Sequence, residues 1–136
     1  MADSRSSGGL AGKLTPEPSN RRAPVLVVDD DIELRDALRD LLEENGYDVY
    51  CAENGQEALN LLKRADPAPG LILLDLMMPV MSGQEMLAAL KQVHALAAIP
   101  VTIVSASEDP PEGESFLHKP LDVEALLGIV EKACGG

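Results

Sequence analysis

Tryptophan is absent from this chain, and its only other aromatic residues are Tyr47, Tyr50 and Phe116. Binding unpaired bases by stacking takes several exposed rings, so that mode of nucleic-acid recognition is argued against. The core must be built from aliphatic side chains. Cysteine is also scarce: Cys51 and Cys134 stand far apart, without the CxxC or Cys/His spacing of a zinc site or a disulfide framework. The amino terminus lacks the apolar core of a signal peptide, and no apolar run is long enough to span a bilayer. A cytoplasmic protein with no membrane contact is expected. Positive charge is the last scarcity, with 11 Lys and Arg against 23 Asp and Glu, a net charge of −12. Within the first 23 residues Arg5, Lys13, Arg21 and Arg22 outnumber Asp3 and Glu17, which leaves seven basic and 21 acidic residues, or −14, in the remainder. Such a surface repels nucleic acid and anionic lipid.

What is present is one domain's worth of aliphatic residues in a regular order, within 136 residues of which 46% are hydrophobic. Residues 1–23, rich in Ser, Gly, Pro and Arg and without periodicity, are predicted to be a flexible tail, with the folded domain over residues 24–136. The run Val25-Leu26-Val27-Val28 has no polar alternation, as a strand buried on both faces requires. Leu34, Ala37, Leu38, Leu41 and Leu42 then fall on one helical face, which Asn45-Gly46 ends. A strand is expected over Tyr47 to Ala52, and a helix with Ala58, Leu61, Leu62 and Ala65 inward, broken by Asp66 to Gly70. Leu71 to Asp75 forms the third strand, and the turn Pro79 to Gly83 starts a helix burying Met86, Leu87, Leu90 and Val93. Val101 to Ser105 and Ser115 to His118 supply the last two strands. A final helix, capped by Asp122, should bury Val123, Leu126, Leu127 and Val130.

Strands alternating with helices in this way predict an α/β fold, a doubly wound five-stranded parallel sheet. In the strand order 2-1-3-4-5, strands one and three are central neighbours, and ligand sites in such sheets lie at the carboxyl ends of the strands. Asp29 and Asp30 follow strand one, and Asp75 ends strand three. Three carboxylates aimed at one point repel and cost stability unless a cation neutralises them. A hard divalent metal is the simplest answer. Ser105 and Lys119, at the ends of strands four and five, bring a hydroxyl and an ammonium to the same rim, groups suited to a phosphoryl oxygen.

Five elements in order, Val27-Val28-Asp29-Asp30-Asp31, Asp75-Leu76-Met77-Met78-Pro79 followed by Gly83, Ser105-Ala106, Phe116, and Lys119-Pro120, make the chain from Ala23 to Cys134 resemble the receiver domain of two-component response regulators. The resemblance implies a flavodoxin-like sheet and a phosphoacceptor Asp75 that takes a phosphoryl group from a partner's phosphohistidine. It implies Mg²⁺ held by Asp29, Asp30, Asp75 and the backbone carbonyl of Met77, with Lys119 stabilising the transferred group. Ser105 and Phe116 would be the switch pair, the aromatic turning inward as the hydroxyl moves to the phosphate. The partners implied are a histidine kinase or phosphotransfer protein upstream and an unknown protein downstream, without direct contact to nucleic acid or membrane. The chain itself would not be an enzyme.

Mg²⁺ takes oxygen ligands in octahedral geometry and keeps several waters, which a few carboxylates and a carbonyl satisfy. Blander roles stand beside these. Asp29, Asp30 and Asp31 could each cap the helix near Ile32, and for Asp31 that is the better reading. Lys119 could be a surface lysine, Phe116 core packing and Ser105 a loop hydroxyl, while His94 and His118 have no ligand spacing around them. A phosphatase of the haloacid dehalogenase type also combines a strand-end Asp with Mg²⁺, Ser and Lys, but needs an acid two residues later, where Met77 stands. A pseudo-receiver, an interaction module that is not phosphorylated, would not need all the acidic and sensing positions present here.

One stretch departs from the family. Between Ser105 and Phe116, where a full helix is usual, lie Pro110 and Pro111 without an apolar stripe. Interior proline costs a helix ~3 kcal/mol, so this fourth family helix is expected to be missing or reduced to a turn. Glu108, Asp109, Glu112 and Glu114 make the segment acidic, which disfavours pairing two copies through it. Only Gly135 and Gly136 follow the last helix, so no output domain is expected after it. Met77 and Ser107 occupy the positions that orient the hydrolytic water in the family, and neither is a strong donor at that reach. The phosphorylated state should therefore be long-lived, and the double substitution Met77→Asn, Ser107→Glu should speed loss of the phosphoryl group in a time course of intact mass; an unchanged rate would refute the assignment.

Overall fold

The computed structural model describes residues 22–76, 78, 80–106 and 115–135. Five strands, β1 (Val25–Val28), β2 (Val49–Ala52), β3 (Leu71–Asp75), β4 (Val101–Ser105) and β5 (Ser115–His118), form one parallel sheet in the order β2-β1-β3-β4-β5. The helices are α1 (Ile32–Glu44), α2 (Gly55–Arg64), α3 (Gly83–Gln92), the single turn α4 (His94–Ala97) and α5 (Val123–Cys134). The doubly wound sheet expected from the sequence is thus present.

Alternation along the buried strands divides the core in two. Val25, Val27, Leu71, Leu73, Val104 and Leu117 pack with Leu38 and Leu42 of α1 and with Leu126 and Val130 of α5. On the opposite face Leu26, Val28, Ile72, Leu74 and Ile103 pack with Leu62 of α2 and with Met86 and Leu90 of α3. Each unbroken apolar run therefore serves two cores at once, which is why it carries no polar residue.

The helices start where short polar side chains satisfy their free N–H groups. Asp31 caps α1, accepting from Glu33 and Leu34 N–H at 3.0 and 3.3 Å. Asn54 caps α2 at 2.8 Å from Glu57 N–H, and Asp122 caps α5 through Glu124 and Ala125 N–H. At α3, Ser82 and Glu85 form a reciprocal capping box, with Ser82 Oγ accepting from Glu85 N–H at 3.1 Å and Glu85 Oε1 from Ser82 N–H at 2.9 Å.

Several details differ from expectation: Ala65 caps α2 in extended conformation instead of lying in its stripe, Ala37 on α1 is exposed, and four others stand out. β2 starts at Val49, because Tyr47 N–H bonds back to Leu42 O at 3.0 Å and finishes α1 instead of entering the ladder. The third helix stops at Gln92; Val93 is extended, with φ −109° and ψ 113°, so its side chain leaves the inward stripe and is 46% exposed. Val123, the first residue of α5, is 48% exposed and lies outside the buried stripe of Leu126 and Val130. Arg22 and Ala23, assigned to the tail, are held by the domain: the Arg22 guanidinium lies 4.7 Å from the Tyr47 ring centroid and Ala23 N–H donates to Cys134 O at 3.2 Å. The rest of the predicted tail, residues 1–21, lies outside the described residues, as does the predicted loss of the family helix over 107–114.

The contrast along α5 gives a measurable expectation. Leu126→Ala, at a fully buried position, should cost about 2–5 kcal/mol in denaturant unfolding. Val123→Ser should stay within about 0.5 kcal/mol of the parent.

Candidate functional site

β1 and β3 pair in register, Val28 beside Leu74, so that Asp29 emerges next to Asp75 at the carboxyl edge of the sheet. Carboxylate oxygens of Asp29, Asp30 and Asp75 lie within 4.8 Å of one another. Asp29 is 2% exposed and Asp75 6%, whereas Asp30 faces solvent. Topology alone brings together residues 46 positions apart. The Lys119 ammonium stands 3.4 Å from Asp29 Oδ2 and 3.7 Å from Asp75 Oδ1, bridging the two buried carboxylates.

Main-chain bonds fix this geometry. Asp29 N–H donates to Ala52 O of β2 at 3.1 Å, and its Oδ1 accepts from Asp31 N–H at 2.9 Å. Lys119 is aimed by the edge of the sheet, its N–H donating to Ser105 O at 2.9 Å. Ser105 itself is 1% exposed and directly follows Val104, the register partner of Asp75. Phe116 is half-buried against the core on the α2–α3 side, and the exposed His118 ring meets it edge-on with centroids 6.0 Å apart. Met77, the expected carbonyl ligand, lies outside the described residues.

One ammonium cannot neutralise three carboxylates, two of them buried. The donor set is all oxygen, with no imidazole or thiolate, which suits a hard cation such as Mg²⁺ or Ca²⁺ and not zinc. The arrangement thus offers a cation site next to a carboxylate oxygen that can act as a nucleophile.

The capping reading of Asp31 holds, and the structure gathers Asp29, Asp30, Asp75 and Lys119 at one point, with Ser105 on the adjoining strand. Three contributors were not singled out from sequence. The capping box of Ser82 and Glu85 was legible as S-x-x-E before an apolar stripe. The contact of His118 with Phe116 follows from their i, i+2 places on one strand face. Arg35, whose guanidinium donates to the Asp29 carbonyl at 2.7 Å, left no signal beyond being an arginine one turn into α1.

Residues 25–131 match the family model described as response regulator receiver domain. Among curated proteins, the transcriptional regulatory protein CpxR of Escherichia coli is 38% identical over 111 residues, covering 78% of this chain and 47% of its own. An uncharacterised 14.6 kDa protein of Leptolyngbya boryana is 36% identical over 118 residues, 81% of this chain and 88% of its own. Of solved structures, a response regulator receiver protein from Pseudomonas putida superposes with a TM-score of 0.75 at 34% identity, covering 82% of this chain and 97% of that one. The chain belongs to the receiver domains of response regulators, the phosphoacceptor signalling modules of two-component systems. It spans about half the length of the longer curated relatives it matches.

At Gly83 this site is sensitive to a small change. Its N–H donates to Leu76 O at 3.0 Å, and a Cβ there would fall 2.3 Å from Asp75 O and 2.7 Å from Leu76 Cα, main-chain atoms that cannot swing aside. Gly83→Ala must therefore shift the end of β3, with a cost of about 1–3 kcal/mol and slower phosphorylation, measured by unfolding and by intact mass.

Proposed function

We propose that Asp75 is the phosphoacceptor of this receiver domain and that Asp29, Asp30 and Asp75 hold Mg²⁺, with the Met77 carbonyl as a further ligand. The observation that carries this reading is the cluster of three carboxylates within 4.8 Å of one another, bridged on one side by Lys119. Bound Mg²⁺ would supply charge neutralisation for the transferred group and one fixed point for its oxygens. A carboxylate oxygen of Asp75 attacks phosphorus; the O–P bond forms as the bond from phosphorus to the donor's imidazole nitrogen breaks, and that nitrogen keeps the electron pair. Lys119 moves its interaction from the carboxylates to the phosphoryl oxygens. Ser105 donates its hydroxyl to the same group, and Phe116 responds to that movement. The change is a population shift between two packings of the rim.

The donor is a histidine kinase or a phosphotransfer protein. Ile32, Val80 and Val123, each 48–80% exposed, stand at the start of α1, in the loop after β3 and at the start of α5, an apolar collar on the carboxyl-edge side where a donor must approach. The output is contact with a downstream protein. CpxR is a transcriptional regulatory protein, but residues 24–136 of this chain carry −14, a charge that opposes direct contact with nucleic acid. No helix among the described residues is long and apolar enough to cross a membrane, and we read the domain as cytoplasmic.

Acetyl phosphate with Mg²⁺ should add one phosphoryl group by intact mass. Asp75→Asn should abolish the addition, excess EDTA should prevent it, and Lys119→Met should slow it by roughly 100-fold, the usual cost of removing a group that stabilises transferred charge. A generic phosphate ester should show no sustained turnover, in contrast to a phosphatase. Labelling of Asp75→Asn at the parent's rate would overturn the assignment.

A further inference from the structure

Arg35 grips the turn between β1 and α1 at two points. Its main-chain N–H donates to the Asp31 carbonyl at 2.9 Å, and its guanidinium Nη1 donates to the Asp29 carbonyl at 2.7 Å. Asp29 is then held at four atoms: its N–H on Ala52 O, its carbonyl on Arg35, Oδ1 on Asp31 N–H and Oδ2 toward Lys119. Its carboxylate is 96% buried and cannot reorient without breaking these contacts. Asp30 and Asp31 follow in the same turn, so the carbonyl that Arg35 anchors belongs to the peptide leading directly to Asp30.

We propose that Arg35 is a positioning residue for the acidic site, fixing Asp29 and the Asp29–Asp30 peptide in the geometry that receives the cation. The inference rests on the reading that Asp29, Asp30 and Asp75 hold Mg²⁺. Charge and positioning here have opposite signs. As a charge, a guanidinium near the pocket repels an incoming divalent cation, so its removal should tighten Mg²⁺ binding. As an anchor, it reduces the freedom of two ligands, so its removal should weaken binding, and outer contacts of this kind are commonly worth 10–100-fold in metal affinity.

Calorimetric titration of Mg²⁺ into the unphosphorylated parent and into Arg35→Met separates the two. The expected result is a Kd raised about tenfold or more in the variant. The half-saturating Mg²⁺ for labelling by acetyl phosphate should rise in parallel, with the lost rate regained as Mg²⁺ is increased. Arg35→Gln, a milder change that also cannot span the turn, is measured beside it and should weaken binding in the same direction even if Arg35→Met folds poorly. Mg²⁺ affinity equal to or tighter than the parent's in a folded variant overturns this inference alone. Failure of the parent to bind Mg²⁺ overturns the metal reading beneath it.

Discussion

Mutual repulsion of carboxylates at the carboxyl edge is the constraint that the rest of the domain answers. Two of the three, Asp29 and Asp75, are buried where water cannot screen them, and Lys119 spans both. Such an arrangement persists because the residues are not free to separate: Asp75 is the last residue of a central strand with neighbours on both sides, and Asp29 is tied to β2 through Ala52. The sheet's cohesion, built from two aliphatic cores, holds together charges that would otherwise part. The excess negative charge makes the pocket receptive to a cation.

The rim is shaped from outside the sheet by close helix starts. Gly83 brings the first turn of α3 against the main chain of Asp75 and Leu76, at a distance no side chain would permit. Gly55 makes a comparable approach at α2, but there the neighbours are the Cγ and Sδ of Met81, which can give way. The two glycines therefore differ in kind: one sets the position of the end of β3, the other lets α2 and the Met81 loop lie close. Between them Val80, with φ 70°, takes a left-handed conformation unusual for a β-branched residue, and its side chain is left 80% exposed.

The sheet and its order were legible because uninterrupted apolar runs, each ending in a chemically distinctive residue, can be laid side by side in few ways. Asp29, Asp30, Asp75 and Lys119 were legible for the same reason, since each stands at a strand's carboxyl end. Periodicity was weakest at helix ends. Val93 and Val123 continue an apolar stripe by spacing, yet one follows the last turn of its helix and the other opens the first, where spacing no longer says what lies opposite. Tyr47 lies directly ahead of β2 in sequence, yet a hydrogen bond to Leu42 keeps it with α1. Arg35 was not legible: its role lies in a side chain crossing a turn to a carbonyl, and no pattern of residue types encodes that reach.

The Ala23–Cys134 hydrogen bond joins the entrance of β1 to the exit of α5. Both ends of the folded unit consequently leave side by side, at the opposite pole from the acidic rim. A domain with this layout can be spliced into an exposed loop of a host protein, or have its ends linked and be reopened elsewhere, with little spreading of the host backbone. The acidic rim would still point outward, and the domain would behave as a cassette whose attachment and whose acidic pocket occupy separate hemispheres.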